Sequence, residues 1–110
     1  MKVHLIKKQT IEDYAAANAR IRTSLEYWFE KLKAADWEKP KDIWTTFGSA
    51  DFLGRSSNRI VFDIAGNNYR MIGKYFFGAK QVHLFVCWIG THAEYDELNK
   101  KNEQYTINIY

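Results

Sequence analysis

Arg59-Ile60-Val61-Phe62-Asp63-Ile64-Ala65-Gly66-Asn67-Asn68-Tyr69-Arg70-Met71-Ile72 is the stretch on which the fold turns. From Arg59 the chain takes a period of two, with Ile60, Phe62 and Ile64 set against Arg59, Val61 and Asp63. That is the pattern of a strand with two unlike faces. Gly66-Asn67-Asn68 is hairpin-turn chemistry, because Gly and Asn tolerate positive φ. A second strand is expected from about Asn68 to Phe77. Gly78-Ala79-Lys80 then turns the chain into a third, Gln81–Ile89. Two successive hairpins make an antiparallel meander of three strands.

Working outward, Val3-His4-Leu5-Ile6 reads as a short N-terminal strand. Thr10-Ile11-Glu12-Asp13 is a partial capping box, with Asp where Glu or Gln is preferred, and starts a helix that runs through about Asn18. Ile21, Leu25, Trp28, Phe29 and Leu32 fall on one face of a second helix. It should end near Ala35, since Pro40 forbids continuation. Trp37 to Asn58 is irregular, with one helical turn around Asp42–Thr46. Thr91-His92-Ala93-Glu94 is a full capping box opening a short last helix to about Asn99-Lys100. The tail from Tyr105 to Tyr110 is left open between an edge strand and a mobile segment. Residues 1–110 therefore read as one α+β domain: an N-terminal strand, two helices, a three-strand meander and a C-terminal helix, with the helix pair on one sheet face.

Composition bounds the function. A hydrophobic share of 46% and an aromatic share of 16% suit a packed core. No apolar run approaches the ~20 residues of a membrane span, and the N-terminal apolar stretch is too short for a signal peptide, so no membrane role and a cytoplasmic location are expected. The lone cysteine, Cys87, excludes an internal disulfide and a cysteine-rich zinc site. Its apolar neighbours mark it as an inert strand residue. Sixteen Lys and Arg against thirteen Asp and Glu give +3, compatible with a polyanionic partner.

No Gly-rich phosphate loop, His-Glu-x-x-His or Cys-x-x-Cys occurs. His83 and Cys87 share a strand face but stand about 13 Å apart at ~3.3 Å per residue, too far to hold one metal; neither a metal nor a cofactor is expected. The remaining reactive side chains lie at strand and helix ends. Arg70, Ile72, Lys74 and Phe76 alternate onto one face of the middle strand. Tyr69, Met71, Gly73 and Tyr75 form the other and should meet the helices, which leaves Arg70 and Lys74 on an open face. Arg55 and Arg59 bracket the start of the preceding strand. His92 begins the last helix, with Tyr95 and Asp96 one turn later on the same side. Metal-free RNA cleavage needs such a set: a base for the 2′-hydroxyl, cations for the phosphorane and an acid for the leaving oxygen. Histidine suits proton transfer, and arginine presents a fork that fits two phosphate oxygens. Each residue also has a structural reading: Thr91 and Glu94 as a cap, Arg70 and Lys74 as solvated cations, His4 and His83 as packing or surface residues. From the residues alone, the chain reads as a small basic α+β domain compatible with RNA binding.

The stretch from Asn58 to Ile72 resembles the central hairpin of HigB-type toxins, and Gly90-Thr91-His92-Ala93-Glu94-Tyr95-Asp96 resembles the signature that closes their last strand and opens their last helix. Lys39-Pro40 after the helix pair fits the same order, and the likeness covers about residues 2–99. The resemblance implies a RelE-like fold and the toxin of a type II toxin–antitoxin pair. Such a toxin is an endoribonuclease cutting messenger RNA, commonly at the A site of the 70S ribosome. It is neutralised by a helix-turn-helix antitoxin of the HigA type and reaches operator DNA only through that complex. Carried over by position, Arg70 matches the arginine that contacts the scissile phosphate, and His92 the end of the last strand, where relatives use Arg or His. Tyr95 matches a C-terminal catalytic tyrosine whose position shifts between relatives. Asp96 is a supporting residue, and Arg55, Arg59 and Lys74 are phosphate-binding candidates. The closely spaced lysines of RelE-like toxins before the second strand are absent, so the general base is left unassigned. Two other readings stand beside this one. One is a relative that inhibits its target by binding alone, since fold does not fix activity. The other is a non-catalytic RNA-binding module, against which stands the lack of the paired aromatic motif of an RRM or the GXXG loop of the KH kind.

Overall fold

The computed structural model describes residues 1–110. Strand β1 (Val3–Ile6) leads into helix α1 (Lys8–Ala17), a 3-10 turn (Ala19–Ile21) and α2 (Arg22–Lys33). A 3-10 turn at Pro40–Asp42 and a single helical turn, α3 (Ile43–Thr46), precede β2 (Asp51–Phe52). The meander follows as β3 (Arg59–Ile64), β4 (Tyr69–Phe77) and β5 (Val82–Thr91), then α4 (His92–Lys100) and a last 3-10 turn at Glu103–Tyr105.

The three meander strands form where the period of two placed them, inside one five-stranded sheet of order β1-β5-β4-β3-β2. β1 pairs parallel with β5 at the far edge, while β2 is a two-residue edge strand in the stretch read as irregular. Two residues carry too little pattern to register as a strand. The first helix also starts early, at Lys8 behind a left-handed Lys7, so Thr10 lies inside it and caps nothing. The closing helix begins as read: Thr91 Oγ1 accepts from Glu94 N at 3.1 Å, and Glu94 Oε1 accepts from Thr91 N at 2.8 Å.

One sheet face meets α1 and α2. Leu25, Trp28 and Leu32 of α2 join Phe62, Ile64, Met71, Leu84 and Ile89 in a single buried cluster. Trp28, Phe47 and Phe62 centre it, with ring centroids 5.0–5.7 Å apart. Gly73 lets Phe62 and Leu84 close over the strand, for a Cβ there would lie 3.1 and 3.2 Å from their side chains. Truncating Phe62 should cost about 3–5 kcal/mol.

The opposite face corrects the expectation of an open surface. Its middle is a second core, in which Val61, Ile72, Cys87, Trp88 and Leu98 are buried and Leu53, Tyr95 and Ile107 close the rim. A β-bulge makes this possible. Gly73 pairs with Val86 and Ile72 with Trp88, so Cys87 is an extra residue and both Cys87 and Trp88 turn to this side. α4 and the tail cover the apolar surface so created. The tail is thus neither a free segment nor an added edge strand. Ile109 N donates to Cys87 O at 3.0 Å, two residues past the last β1 pair, Ile6 with Phe85. No helix is long and apolar enough to cross a membrane.

Candidate active site

The β3–β4 hairpin brings the first set of residues together. Its register sets Asp63 opposite Arg70 and Ile64 opposite Tyr69, leaving 65–68 as the turn. On the other side of β4, Arg70 lies opposite Gly90 and Tyr69 opposite Thr91, so the start of α4 sits beside the turn. The two are joined directly: His92 N donates to Asn68 O at 2.9 Å. Arg70 does not stretch into solvent. Its Nε lies 3.2 Å from Asp63 Oδ1, an Nη donates to the Asn67 and Tyr69 carbonyls at 3.3 Å each, and the other Nη donates to the Asn67 side-chain oxygen. All three guanidinium nitrogens therefore have a partner inside the hairpin, and the side chain is only 13% exposed.

His92 is partly exposed at the first position of α4, with Nε2 3.4 Å from Asp96 Oδ1 one turn later. Tyr95 leans on Trp88, ring centroids 6.1 Å apart, half buried in the second core. Burial pushes its phenol above the usual tyrosine range; a hydrogen bond with Asn99 and the charge of Arg70 act the other way. Tyr95 is therefore un-ionised at neutral pH. Arg70, His92, Tyr95 and Asp96 thus gather at the turn end of the sheet.

Arg55, Arg59 and Lys74 do not join them. Lys74 is exposed but lies four residues along β4 from Arg70, about 13 Å at ~3.3 Å per residue. Its cross-strand partner is Arg59, and the reading of Arg59 as a phosphate ligand fails here. Arg59 is buried, and its Nη1 donates to Ile107 O at 2.7 Å and Gln104 O at 3.2 Å. A buried guanidinium needs acceptors, and the tail supplies them. Arg55 is exposed in a loop where Gly54, Arg55, Ser56 and Asn58 all take positive φ. Its guanidinium lies 4.2 Å from the Tyr105 ring centroid. The second basic set is thus gathered around the tail.

Three features escaped the sequence. Asp63 and Asn67 hold Arg70, and simple counting across the turn pairs Asp63 with Arg70. The tail residues Gln104, Tyr105 and Ile107 hold the second set, and no local signal announces contacts so distant in the chain. His4, His83, Phe76 and Phe85 share the uncovered end of the second face, which alternation along each strand signals but only the order β1-β5-β4 unites.

A family model described as HigB toxin, the RelE-like toxic component of a toxin–antitoxin system, matches residues 21–98. The chain is 31% identical over 98 residues to an Escherichia coli strain CFT073 protein named mRNA interferase HigB, covering 89% of this chain and 93% of that one. It is 26% identical over 94 residues to the mRNA interferase HigB of Shigella flexneri, covering 86% and 88%.

Proposed function

The chain belongs to the HigB family of RelE-like toxins, and from that premise we propose that it is an endoribonuclease that cuts messenger RNA. The carrying observation is the Arg70 guanidinium, clamped by Asp63 and Asn67 in the hairpin whose turn the first residue of α4, His92, meets through its backbone. A donor held in place before the reaction stabilises developing charge without reorganising. In this reading the RNA 2′-oxygen attacks the adjacent phosphorus, and the Arg70 guanidinium, oriented by the hairpin, sets its charge against the phosphorane oxygens. The P–O5′ bond then breaks, leaving a 2′,3′-cyclic phosphate and a 5′-hydroxyl. His92, with Asp96 on its Nε2 side, moves a proton. Tyr95, un-ionised, donates one rather than accepting it.

The finer assignments belong to the same proposal. The substrate is a message on the translating 70S ribosome in the cytoplasm, the inhibitor is a helix-turn-helix antitoxin of the HigA type, and operator DNA is met only through that complex. The chain acts as one domain, and the reaction is assigned to side chains with no metal or cofactor. Purified protein should cut a translated message and lose that activity when mixed with the antitoxin, and any cleavage it shows on free RNA should persist in EDTA. A message that arrests translation without being cleaved overturns the nuclease reading in favour of inhibition by binding.

A further inference from the structure

We propose that the uncovered end of the second sheet face, a row of rings formed by His4, His83 and Phe76 with Phe85 beside it, is a stacking platform for the bases of single-stranded RNA. The proposal rests on the RNA-cleaving reading and adds a binding surface away from the Arg70 end. The row crosses three adjacent strands. His4 of β1 is opposite His83 of β5, their ring centroids 6.2 Å apart, and His83 is opposite Phe76 of β4, centroids 6.0 Å apart. Phe85 follows one pair along, between Ile6 and Lys74. Elsewhere on this face the apolar side chains lie beneath α4 and the tail. Here Phe76 is 60% and Phe85 41% exposed, so two phenyl rings stand in water beside a part of the face that is covered.

Charge decides what fits. No Asp or Glu precedes Glu12, and none occurs between Ile64 and Ala93, so β1, β4 and β5 are free of carboxylate side chains. Lys7 and Lys74 line a cavity of about 380 Å³ whose wall includes Phe85 and Tyr110. Flat π faces beside cations suit a polyanion with unpaired aromatic faces of its own, which is single-stranded nucleic acid. A second copy of this chain would bring the same lysines and be repelled. Duplex RNA keeps its bases stacked internally and offers none to the rings. Phe76 lies six residues along β4 from Arg70, about 20 Å at ~3.3 Å per residue. Bases held there belong to nucleotides distant from the cut, so the platform acts on RNA capture and leaves the bond-breaking step alone.

The full chain is tested by fluorescence anisotropy with a short single-stranded 2′-O-methyl RNA, which it cannot cleave. The Phe76→Ala/Phe85→Ala double variant should bind at least about tenfold more weakly, since stacking on one ring is commonly worth that much or more. Phe76→Trp should restore or tighten binding. A ribose-phosphate strand without bases should bind weakly and equally to wild type and double variant. On cleavable RNA the double variant should raise KM and keep kcat. Thermal melting reports whether the variant folds; if it does not, the Phe→Leu pair keeps apolar area without an aromatic face and carries the same expectation. Unchanged RNA affinity in a folded variant overturns the platform, and lost antitoxin binding with unchanged RNA affinity reassigns the patch to the protein partner. Ring-dependent RNA binding by a wild-type chain that cuts no RNA would uphold the platform while refuting the nuclease reading.

Discussion

Arg70 and Arg59 lie on one sheet face, and both have guanidinium groups held by neighbours, yet they are held in opposite ways. Arg70 is clamped from within its own hairpin, by Asp63 across the strand pair and by Asn67 in the turn, and stays partly exposed. Arg59 is held by Gln104 and Ile107, 45 and 48 residues further along the chain, and is buried by them. A local clamp leaves a cation available to substrate while fixing its direction. A distant one consumes the cation to fasten the tail over the second core. Positive charge on the sheet face is therefore a poor guide to role; what the charge already touches is a better one.

The largest effect expected from this contrast falls on the turn end. Arg70→Ala should lower the cleavage rate about 10²–10³-fold, the usual loss when one preorganised donor to developing charge is removed. His92→Ala should lose about 10²–10⁴-fold if it transfers a proton. Stability should change by about 1 kcal/mol for either, because neither side chain fills the core. Growth arrest in cells without antitoxin, measured beside thermal melting, separates the effects. Continued arrest by Arg70→Ala removes it from the phosphate. Tyr95→Phe adds a pH readout. Burial raises the phenol above its ordinary value near 10, so it is protonated throughout pH 6–9 and its loss should weaken cleavage by the same factor across that range. A deficit that grows with pH would mean that a phenolate acts as base.

Arg59 is expected to behave in reverse. Arg59→Ala removes charge-assisted hydrogen bonds of about 1.5–3 kcal/mol and loosens Ile107 from the second core. The melting temperature should fall by roughly 6–24 °C, at about 4–8 °C per kcal/mol, while cleavage per folded molecule stays nearly unchanged. Arg55→Ala gives up one exposed cation–π contact of about 0.5–1 kcal/mol and should melt within several degrees of wild type. Loss of cleavage in a stably folded Arg59→Ala chain would return Arg59 to the RNA.

The same division explains what was legible. The meander, the capping box at Thr91 and the placing of Arg70, His92, Tyr95 and Asp96 all rest on interactions a few residues apart, which periodicity and spacing express directly. The second core does not. Ile72 beside Arg70 looked like part of an open face because alternation shows which side a residue takes and nothing of what arrives to cover it. The bulge at Cys87 breaks the alternation, and the covering residues Leu98 and Ile107 come from segments whose patterns point nowhere in particular. Lys7, left-handed at the start of α1, and β2, only two residues long, failed for a related reason: both are fixed by the packing around them.

The smallest effect concerns the turn that builds the Arg70 clamp. Gly66-Asn67-Asn68 suggested positive φ at the glycine and asparagines, but the positive values fall on Ala65 (54°) and Gly66 (66°). Asn67 instead spends its side chain on Arg70, and the Asn68 side chain donates to Ala65 O at 3.1 Å. Alanine in the left-handed region costs roughly 1–2 kcal/mol, partly offset because glycine loses more freedom on folding. Ala65→Gly should therefore stabilise the chain by roughly 0.5–1 kcal/mol, a rise of a few degrees in melting temperature. If the clamp depends only on Asn67 and Asp63, cleavage by Ala65→Gly will match wild type. A more stable variant with slower cleavage would show that the strained turn itself sets the direction of Arg70, making backbone conformation part of what distinguishes this end of the sheet from the other.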